Sequence, residues 1–316
     1  MNLLVGGNDT GKTSVLEALI LLLGDTAQVS ELPTTFRNNQ SGHAANSPDD
    51  RENFWLWLFY DRDVSNQIDV LAKTENGQNL ELVSKIIPAG NWVNAPKIPS
   101  LNRKIAGQEL QLARLDNQMQ LGAPPIEGFK VSRLSVTPSH PVLDAEKYNQ
   151  IALESNGEAR FERIMREVEP RLKRLRYAKL SGTSSPLVFA DIGLSRSVPA
   201  TQMGQAFNRI LHIYAEILTS GTNVLLIDEI ENGIFSDSLP LIWKGLFAVC
   251  EQQNVQIFAT THSRECVMAA YAAAHERGKD ELSVQRLQIV KGNIEAVRLG
   301  AEHLEVASEM GLEVRS

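Results

Sequence analysis

The beginning of the chain places glycines, a lysine and a threonine at a spacing that suits phosphate binding. Four residues fit the pattern GxxxxGK[ST], namely Gly6, Gly11, Lys12 and Thr13. Glycines let such a loop turn its backbone N–H groups toward an anion, and the N-terminus of a following helix adds partial positive charge. We expect Lys12 to reach the outer phosphates of a nucleotide and the Thr13 hydroxyl to bind Mg²⁺.

The flanking sequence provides the context that this motif requires. Apolar residues at 3–5 predict a strand before the loop, and residues 14–23 have the spacing of a helix after it. The whole loop is therefore predicted to contact ATP. The predicted phosphate-binding residues are Gly6, Gly7, Asn8, Asp9, Thr10, Gly11, Lys12, Thr13 and Ser14.

A pair of carboxylates follows the apolar run at 223–227. A carboxylate at the end of a strand suits a metal ion, and an adjacent carboxylate can orient and deprotonate a water molecule. Asp228 is therefore predicted to hold Mg²⁺ together with Thr13, and Glu229 to be the catalytic base of a hydrolysis. A kinase has less use for a water-activating glutamate at this position.

His262 follows the next apolar run, at 255–261. In a parallel sheet the ends of successive strands meet at one edge, which is the usual ligand site of open α/β folds. We therefore predict that His262 lies beside the terminal phosphate and takes part in catalysis. The remaining histidines are interpreted as structural: His43, His140, His212, His275 and His303.

Composition excludes several classes of protein. The chain has 316 residues, of which 43% are hydrophobic and 22% charged, which is typical of a globular protein and not of a disordered or coiled-coil one. Its net charge of −7 gives no global sign of nucleic-acid binding. Cys250 and Cys266 form no metal-binding pattern, which favours a reducing, cytoplasmic location. The longest apolar run, 15–23, is too short for a membrane helix.

The elements that must position these residues alternate in type. Strand followed by helix over 223–277 predicts a parallel sheet, and Asn76-Gly77 predicts a hairpin. Strands are predicted at 3–5, 68–73, 80–87, 172–180, 187–192, 223–227, 255–261, 283–290 and 294–299. Helices are predicted at 14–23, 108–118, 144–153, 158–168, 204–218, 239–252, 264–277 and 301–310. The expected architecture is a single domain, 1–316, with a core of 1–87 and 181–316 and an inserted helical or lid region, 88–180.

Four stretches together resemble the ABC-type ATPase heads of the SMC, RecF and OLD groups, and most of all the OLD-like bacterial ATPases. These stretches are LLVGGNDTGKTSVLEAL, QMGQAFNRIL, NVLLIDEIENGI and QIFATTHS. The resemblance implies an α/β P-loop NTPase fold with a mainly parallel sheet and flanking antiparallel hairpins. It also implies that two heads enclose two ATP molecules, with Gln202 and Gly204 of one head facing the terminal phosphate held by the other.

The chain departs from this family at several positions. Gln202 stands where relatives usually have serine, and Phe235 where they commonly have histidine. The Q-loop of these relatives has no clear match in the sequence, and Gln40 is a weak candidate for its glutamine. The strands that usually precede the phosphate loop are not seen in the sequence, so we expect either a trimmed or misassigned start, or poor base recognition and a sheet that lacks an edge. Too few residues follow His262 for the nuclease domain of OLD nucleases. We therefore expect any nuclease or toxin activity to belong to a separate effector protein.

Residues 160–179 have eight basic residues against three glutamates. The basic residues are Arg160, Arg163, Arg166, Arg171, Lys173, Arg174, Arg176 and Lys179. Such a cluster could bind nucleic-acid phosphates, or it could be a solvated helix face and strand edge. Both interpretations stay open on the sequence alone.

The sequence thus predicts a cytoplasmic, Mg²⁺-dependent ATPase that works as a homodimeric switch and controls a partner effector. Analogy with the family suggests a role in DNA repair or phage defence. The alternative is an ATP-binding interaction module that does not hydrolyse ATP. A membrane-transporter ATPase subunit is disfavoured because the string LSGGQ is absent.

Overall fold

A computed structural model describes most of the chain. The described residues are 1–30, 32, 55, 58–88, 97–105, 107–114, 125–134, 141–179, 185–278, 281–310 and 313–314. Contacts divide the chain into two compact units. The first unit contains Met1–Thr13 and Val131–Ser316, and the second contains Ser14–Lys130.

The strands and helices follow one another in a mixed order. The strands are β1 (Asn2–Gly6), β2 (Asp69–Lys73), β3 (Asn79–Pro88), β4 (Lys97–Ile105), β5 (Gln108–Arg114), β6 (Val131–Leu134), β7 (Arg174–Ala178), β8 (Leu187–Asp191), β9 (Val198–Pro199), β10 (Val224–Ile227), β11 (Gln256–Thr260), β12 (Ser283–Val290) and β13 (Asn293–Leu299). The helices are α1 (Lys12–Leu23), α2 (Thr26–Ser30), α3 (Pro141–Leu153), α4 (Gly157–Val168), α5 (Gln205–Thr219), α6 (Leu239–Gln253), α7 (Arg264–Arg277) and α8 (Ala301–Met310).

A six-stranded sheet forms the centre of the first unit, in the order β13-β12-β1-β11-β10-β6. Its neighbouring strands are parallel except for β12 and β13, which form an antiparallel hairpin. Because β1, β11 and β10 are adjacent and parallel, the segments that follow them emerge at one edge of the sheet. The predicted parallel sheet with a flanking hairpin is confirmed.

Burial explains the composition of the central strands. All four residues of β10 are buried, as are Leu3, Leu4 and Val5 of β1. Strands covered on both faces lose the polar alternation of surface strands and become continuous apolar runs. Helix α5 packs with its apolar face in the same core, and the residues of that face include Phe207, Ile210, Leu211 and Tyr214. The central strands and α5 thus share one apolar core.

The second unit contains a four-stranded antiparallel sheet in the order β2-β3-β4-β5. The hairpin predicted at Asn76-Gly77 is confirmed, and Gly77 has a φ of +79°, which favours glycine. The helix predicted at 108–118 is wrong, because Gln108–Arg114 is strand β5 paired with β4. Its Gln, Glu and Leu residues favour a helix in isolation, but pairing with β4 and burial of Leu112 override that preference.

Strand β6 shows why the boundary of the insertion is hard to place from sequence. Residues Val131–Leu134 lie within the predicted insertion, yet they pair in parallel with β10 in the central sheet. A four-residue strand next to a proline-rich stretch has too little pattern to stand out. Helices α3 and α4 also belong to the first unit. The division into a core and an insertion at 88–180 stays a prediction.

The smaller sheet of the first unit has the order β7-β8-β9 and is antiparallel. It confirms the hairpin predicted between 172–180 and 187–192. Within the described part of the chain, none of the helices has the length and apolar content required to cross a membrane.

Arg103 is a buried cation in the second unit. Its guanidinium donates to the carbonyl oxygens of Leu21, at 2.8 Å, and Gly24, at 2.7 Å, at the C-terminal end of α1. The final carbonyls of a helix have no partner within it, and they carry the negative end of its dipole. Burial lowers the pKa of Arg103 to about 10, with Asp25 opposing the shift, so the side chain stays charged near neutral pH. Arg103 thus caps the helix that follows the phosphate loop.

Replacing Arg103 should destabilise the protein. Arg103→Met is expected to lower the free energy of unfolding by about 2 kcal/mol, because two buried carbonyl groups lose a charged donor. Urea unfolding monitored by circular dichroism would measure the change. Arg196→Met, at an exposed position, is the matched control; an equal loss in both variants would contradict the role of Arg103 as a helix cap.

Candidate functional site

The edge of the central sheet where β1, β10 and β11 end carries the residues singled out from the sequence. A pocket of about 840 Å³ lies there. It is lined by Gly6, Gly7, Asn8, Thr10, Glu229, Glu231, His262, Leu287, Gln288, Ile289 and Glu313. The glycine-rich loop and the residues that follow β10 and β11 are thus in one site, as their positions at parallel strand ends predict.

The conformation of the loop requires glycine at its first position. Gly6 has a φ of +148°, and a Cβ atom placed on it would lie 2.4 Å from the carbonyl oxygen of Leu287. Gly7 has space, because a Cβ there would meet only the Thr10 methyl group, at 3.9 Å. The Thr10 hydroxyl donates to the Gly7 carbonyl at 2.9 Å and closes the loop on itself.

Lys12 lies inside this loop with only 5% of its surface exposed. Its ammonium group donates to the carbonyl oxygens of Gly6, at 3.0 Å, and Gly7, at 2.6 Å. Burial lowers the pKa of Lys12, and the carboxylates of Asp228 and Glu229 are the largest opposing influences. The site thus holds a buried positive charge inside the loop, with the carboxylates of Asp228 and Glu229 nearby.

The first carboxylate, Asp228, contacts the end of β11 and the beginning of α1. Asp228 Oδ1 accepts a hydrogen bond from the Thr260 hydroxyl at 2.6 Å and lies 3.4 Å from the Thr13 hydroxyl oxygen. A hydroxyl and a carboxylate oxygen are donors that Mg²⁺ uses, and this ion commonly takes only one or two protein ligands beside phosphates and water. The described residues contain no group of three or more His, Cys, Asp or Glu that could hold a metal. Thr13 and Asp228 therefore fit Mg²⁺ bound together with a phosphorylated ligand.

The second carboxylate, Glu229, is held through its backbone. Its N–H donates to the Thr260 hydroxyl oxygen at 2.8 Å, and its φ is +46°, a region that costs a non-glycine residue about 1 to 3 kcal/mol. The buried Arg209 guanidinium donates to the carbonyl oxygens of Asp228, at 2.9 Å, and Glu229, at 3.3 Å. Burial lowers the pKa of Arg209, with Asp228 the largest opposing influence. The strained backbone is thus held from two sides.

His262 faces the same carboxylate. Its Nε2 atom lies 4.0 Å from Glu229 Oε1, and both side chains are about 40% exposed. The His262 backbone N–H donates to Glu231 Oε1 at 2.7 Å, which fixes the turn after β11. A water molecule at the end of the pocket would therefore meet a carboxylate and an imidazole together.

Sequence reasoning missed several residues of this site. Thr260 and Arg209 do not line the pocket, and they act on Asp228 and Glu229 from behind. The sequence gives little indication of their roles. Thr260 is a single polar residue at the end of an apolar strand, and Arg209 is a single charged residue in an amphipathic helix. Glu231 follows the acidic pair by two residues, and this closely spaced acidic string could have been noticed.

The segment predicted to face a second subunit lies outside this pocket. Gln202 is exposed at the end of a short 3₁₀ turn, and Gly204 is the exposed N-cap of α5 with a φ of −59°. A Cβ atom on Gly204 would meet nothing within 4 Å. Ser14 is exposed on α1, and Gln40 lies outside the described residues. The structure does not place Gln202 or Gly204 beside the phosphate loop of the same chain.

The basic cluster at 160–179 is partly neutralised. Four of its arginines form ion pairs with glutamates, namely Arg160 with Glu154, Arg166 with Glu162, Arg171 with Glu169 and Arg174 with Glu158. The other four have no ion pair with a described carboxylate; these are Arg163, Lys173, Arg176 and Lys179. Half of the basic residues in the cluster are therefore paired with a described carboxylate.

The chain matches a known family. The model for the family described as "AAA domain, putative AbiEii toxin, Type IV TA system" matches residues 92–267. This range is more than half of the chain and includes α5, the acidic pair and His262. The glycine-rich loop lies before it.

Individual proteins are similar over most of the chain. A protein of Helicobacter pylori named ATP/GTP phosphatase is 22% identical over 315 aligned residues, covering 84% of this chain and 80% of that protein. An SMC head bound to the C-winged helix domain of ScpA has a TM-score of 0.49 and 11% identity, covering 95% of this chain and 91% of that one. The SMC head domain from Thermotoga maritima has a TM-score of 0.40 and 12% identity, covering 95% and 90%.

Two neighbouring glycines should respond differently to substitution. Gly6→Ala is expected to weaken ATP binding at least about tenfold, because its Cβ cannot fit beside Leu287 and its φ disfavours a side chain. Gly7→Ala, which has space, should bind nearly as well as the unaltered chain. Isothermal titration calorimetry would compare the two, and equal affinities would contradict this loop geometry.

Proposed function

We propose that this chain, which belongs to the AAA-domain family, is an Mg²⁺-dependent ATPase whose site lies where β1, β10 and β11 end. One observation carries the proposal. The hydroxyl of Thr13, after the phosphate loop, and the carboxylate of Asp228, after β10, lie 3.4 Å apart, with Glu229 and His262 beside them. Phosphate binding, metal ligation and water activation are therefore provided at one place.

Each side chain has a defined task in this proposal. Lys12 and the loop N–H groups bind the phosphates of ATP. Because Lys12 is buried in the loop, its charge is less screened by water and attracts the phosphates more strongly. Thr13 and Asp228 hold Mg²⁺, which when bound offsets negative charge on the phosphates. Asp228 keeps its orientation because Thr260 donates to it. The chain thus provides most of the stabilisation by positioning charge, as phosphoryl transfer requires.

Water activation is assigned to Glu229. Its carboxylate is exposed to the pocket while its backbone is held by Thr260 and Arg209, so it can accept a proton from water without moving. His262 lies beside that carboxylate. Its imidazole donates a hydrogen bond to the attacking water or to the terminal phosphate and so orients it. The result is hydrolysis of ATP to ADP and phosphate.

The proposal includes a homodimer with ATP between the two subunits. Gly204 supports it, because it is the exposed N-cap of a 15-residue helix, none of the described side chains caps that helix, and a Cβ atom on Gly204 would meet nothing within 4 Å. Such a terminus attracts a phosphate group. In this arrangement Gly204 and Gln202 of one subunit meet the terminal phosphate bound by the other, so that ATP joins the subunits and hydrolysis releases them.

We assign this switch to the control of a separate effector, in phage defence or DNA maintenance, and to the OLD-like branch of the family. The description of the matched family names a type IV TA system, which supports a function exerted on a second component. Nucleic acid remains a candidate partner through Arg163, Lys173, Arg176 and Lys179 of the basic cluster.

One observation favours a second candidate, an ATP-binding module that does not hydrolyse ATP. Gln202 is exposed where family members usually present a serine hydroxyl, so the contact that completes the shared site in relatives differs here. The two candidates differ in turnover, since both bind ATP and only the first releases phosphate.

Glu229→Gln separates binding from hydrolysis. The variant should bind ATP with unchanged affinity and hydrolyse it at least about a hundredfold more slowly, because the amide cannot accept the proton of water. Phosphate release measured at saturating ATP would show this. Glu302→Gln, at an exposed position on α8, is the control and should keep full activity. Undiminished turnover in Glu229→Gln would remove this residue from the role of base.

Mixing two inactive variants tests the shared site. Lys12→Ala should lose phosphate binding, and Gly204→Arg should fold normally, because its position has space, but block the partner's phosphate. In a mixed dimer one of the two sites would have an unaltered loop and an unaltered Gly204. Phosphate release should therefore reappear on mixing. Activity of Gly204→Arg alone equal to that of the unaltered chain would contradict the shared site.

A further inference from the structure

The pocket continues beyond the phosphate loop along the hairpin of β12 and β13. Strand β12 lies directly beside β1, with Leu287 in register with Gly6. Leu287, Gln288, Ile289 and Glu313 form this side of the pocket. The other side is formed by Glu229, Glu231 and His262, which are polar.

Two isoleucines make this side apolar and exposed. Ile289 and Ile294 are direct partners across the hairpin, so their side chains lie on the same face of the sheet. They are 59% and 53% exposed, respectively. A Cβ atom on Gly11 of the phosphate loop would lie 3.3 Å from Ile294 Cδ1, so this isoleucine contacts the loop itself. We call Ile289 and Ile294 the isoleucine ledge.

Single exposed apolar residues are common on protein surfaces and need no explanation. This pair differs because it lies beside the phosphate loop, where a ligand could cover it. Ile289 lines the pocket, and Ile294 contacts the loop that is proposed to hold the phosphates. A nucleotide has a charged end and an apolar, planar end. With the phosphates in the loop, the base needs an apolar surface within the reach of one ribose.

We propose that the isoleucine ledge is the base-binding part of the nucleotide site, and that the base of ATP lies flat against Ile289 and Ile294. This inference rests on the proposed function. Contact with the base would remove apolar area from water on both partners, which is the main source of affinity in mostly apolar ligand pockets. The phosphate loop supplies the charge interactions, and the ledge supplies the apolar contact.

The chemistry of the ledge has a consequence for specificity. Aliphatic side chains contact the face of a base and do not read the hydrogen-bonding groups on its edge. The ledge should therefore bind adenine and guanine similarly. Removing it should weaken ATP and GTP binding to about the same extent and leave the binding of phosphates unchanged.

The experiment compares ligands with and without a base. Equilibrium binding of ATP, GTP and inorganic tripolyphosphate, each with Mg²⁺, is measured by calorimetry on the full chain and on the double variant Ile289→Ala, Ile294→Ala. The affinities for ATP and GTP should each fall about tenfold, and the affinity for tripolyphosphate should stay within about twofold. Because both side chains are more than half exposed, the variant should unfold at nearly the same temperature as the unaltered chain.

Leu143→Ala is the matched control, since Leu143 is 56% exposed on α3 and does not line the pocket. It should change none of the three affinities. Unchanged ATP binding in the double variant, or an equal loss for ATP and tripolyphosphate, would overturn the assignment of the ledge while leaving the ATPase proposal in place. Failure of the unaltered chain to bind either ATP or tripolyphosphate would reject the proposed function, and this assignment with it.

Discussion

The site depends on the hydroxyl group of Thr260, which donates to the Asp228 carboxylate at 2.6 Å and accepts from the Glu229 N–H at 2.8 Å. This contact exists only because β11 lies between β1 and β10, in parallel and in register with both. One buried hydroxyl thus orients the proposed metal ligand and the proposed base together. Arg209 holds the carbonyl side of the same two residues, so the acidic pair is fixed before any ligand arrives.

This arrangement concentrates unfavourable features where chemistry is proposed. A lysine is buried in a loop, an arginine is buried behind a strand end, and Glu229 has a left-handed backbone conformation. Each costs stability on its own, and each is accompanied by hydrogen bonds that offset part of the cost: Lys12 and Arg209 donate to backbone carbonyls, and the Glu229 N–H donates to Thr260. The apolar core around β10 and α5 provides the free energy that keeps these features in place. Strain and buried charge therefore accompany the function that we propose.

Much of the fold could be predicted from sequence, because strongly apolar strands and amphipathic helices leave clear patterns. The main error, a helix at 108–118, arose where pairing with β4 decides the structure of a locally helix-like segment. Within the site, Lys12, Asp228, Glu229 and His262 could be predicted because their types and places at strand ends imply chemistry. Thr260 and Arg209 could not, since they act through tertiary contacts and have no motif. The roles proposed for Gln202 and Gly204 involve a second subunit, which neither the sequence nor a single chain contains.

The central claim is that this chain releases phosphate from ATP by means of the residues at the ends of β1 and β10. Its most direct test is the rate of phosphate release by the purified chain with Mg²⁺, compared with the rate after chelation of divalent cations, with Lys12→Ala purified in parallel to measure contaminating activity. The account predicts turnover that requires Mg²⁺ and disappears in Lys12→Ala. Equal rates in the unaltered chain and in Lys12→Ala, or turnover that persists without divalent cations, would contradict it.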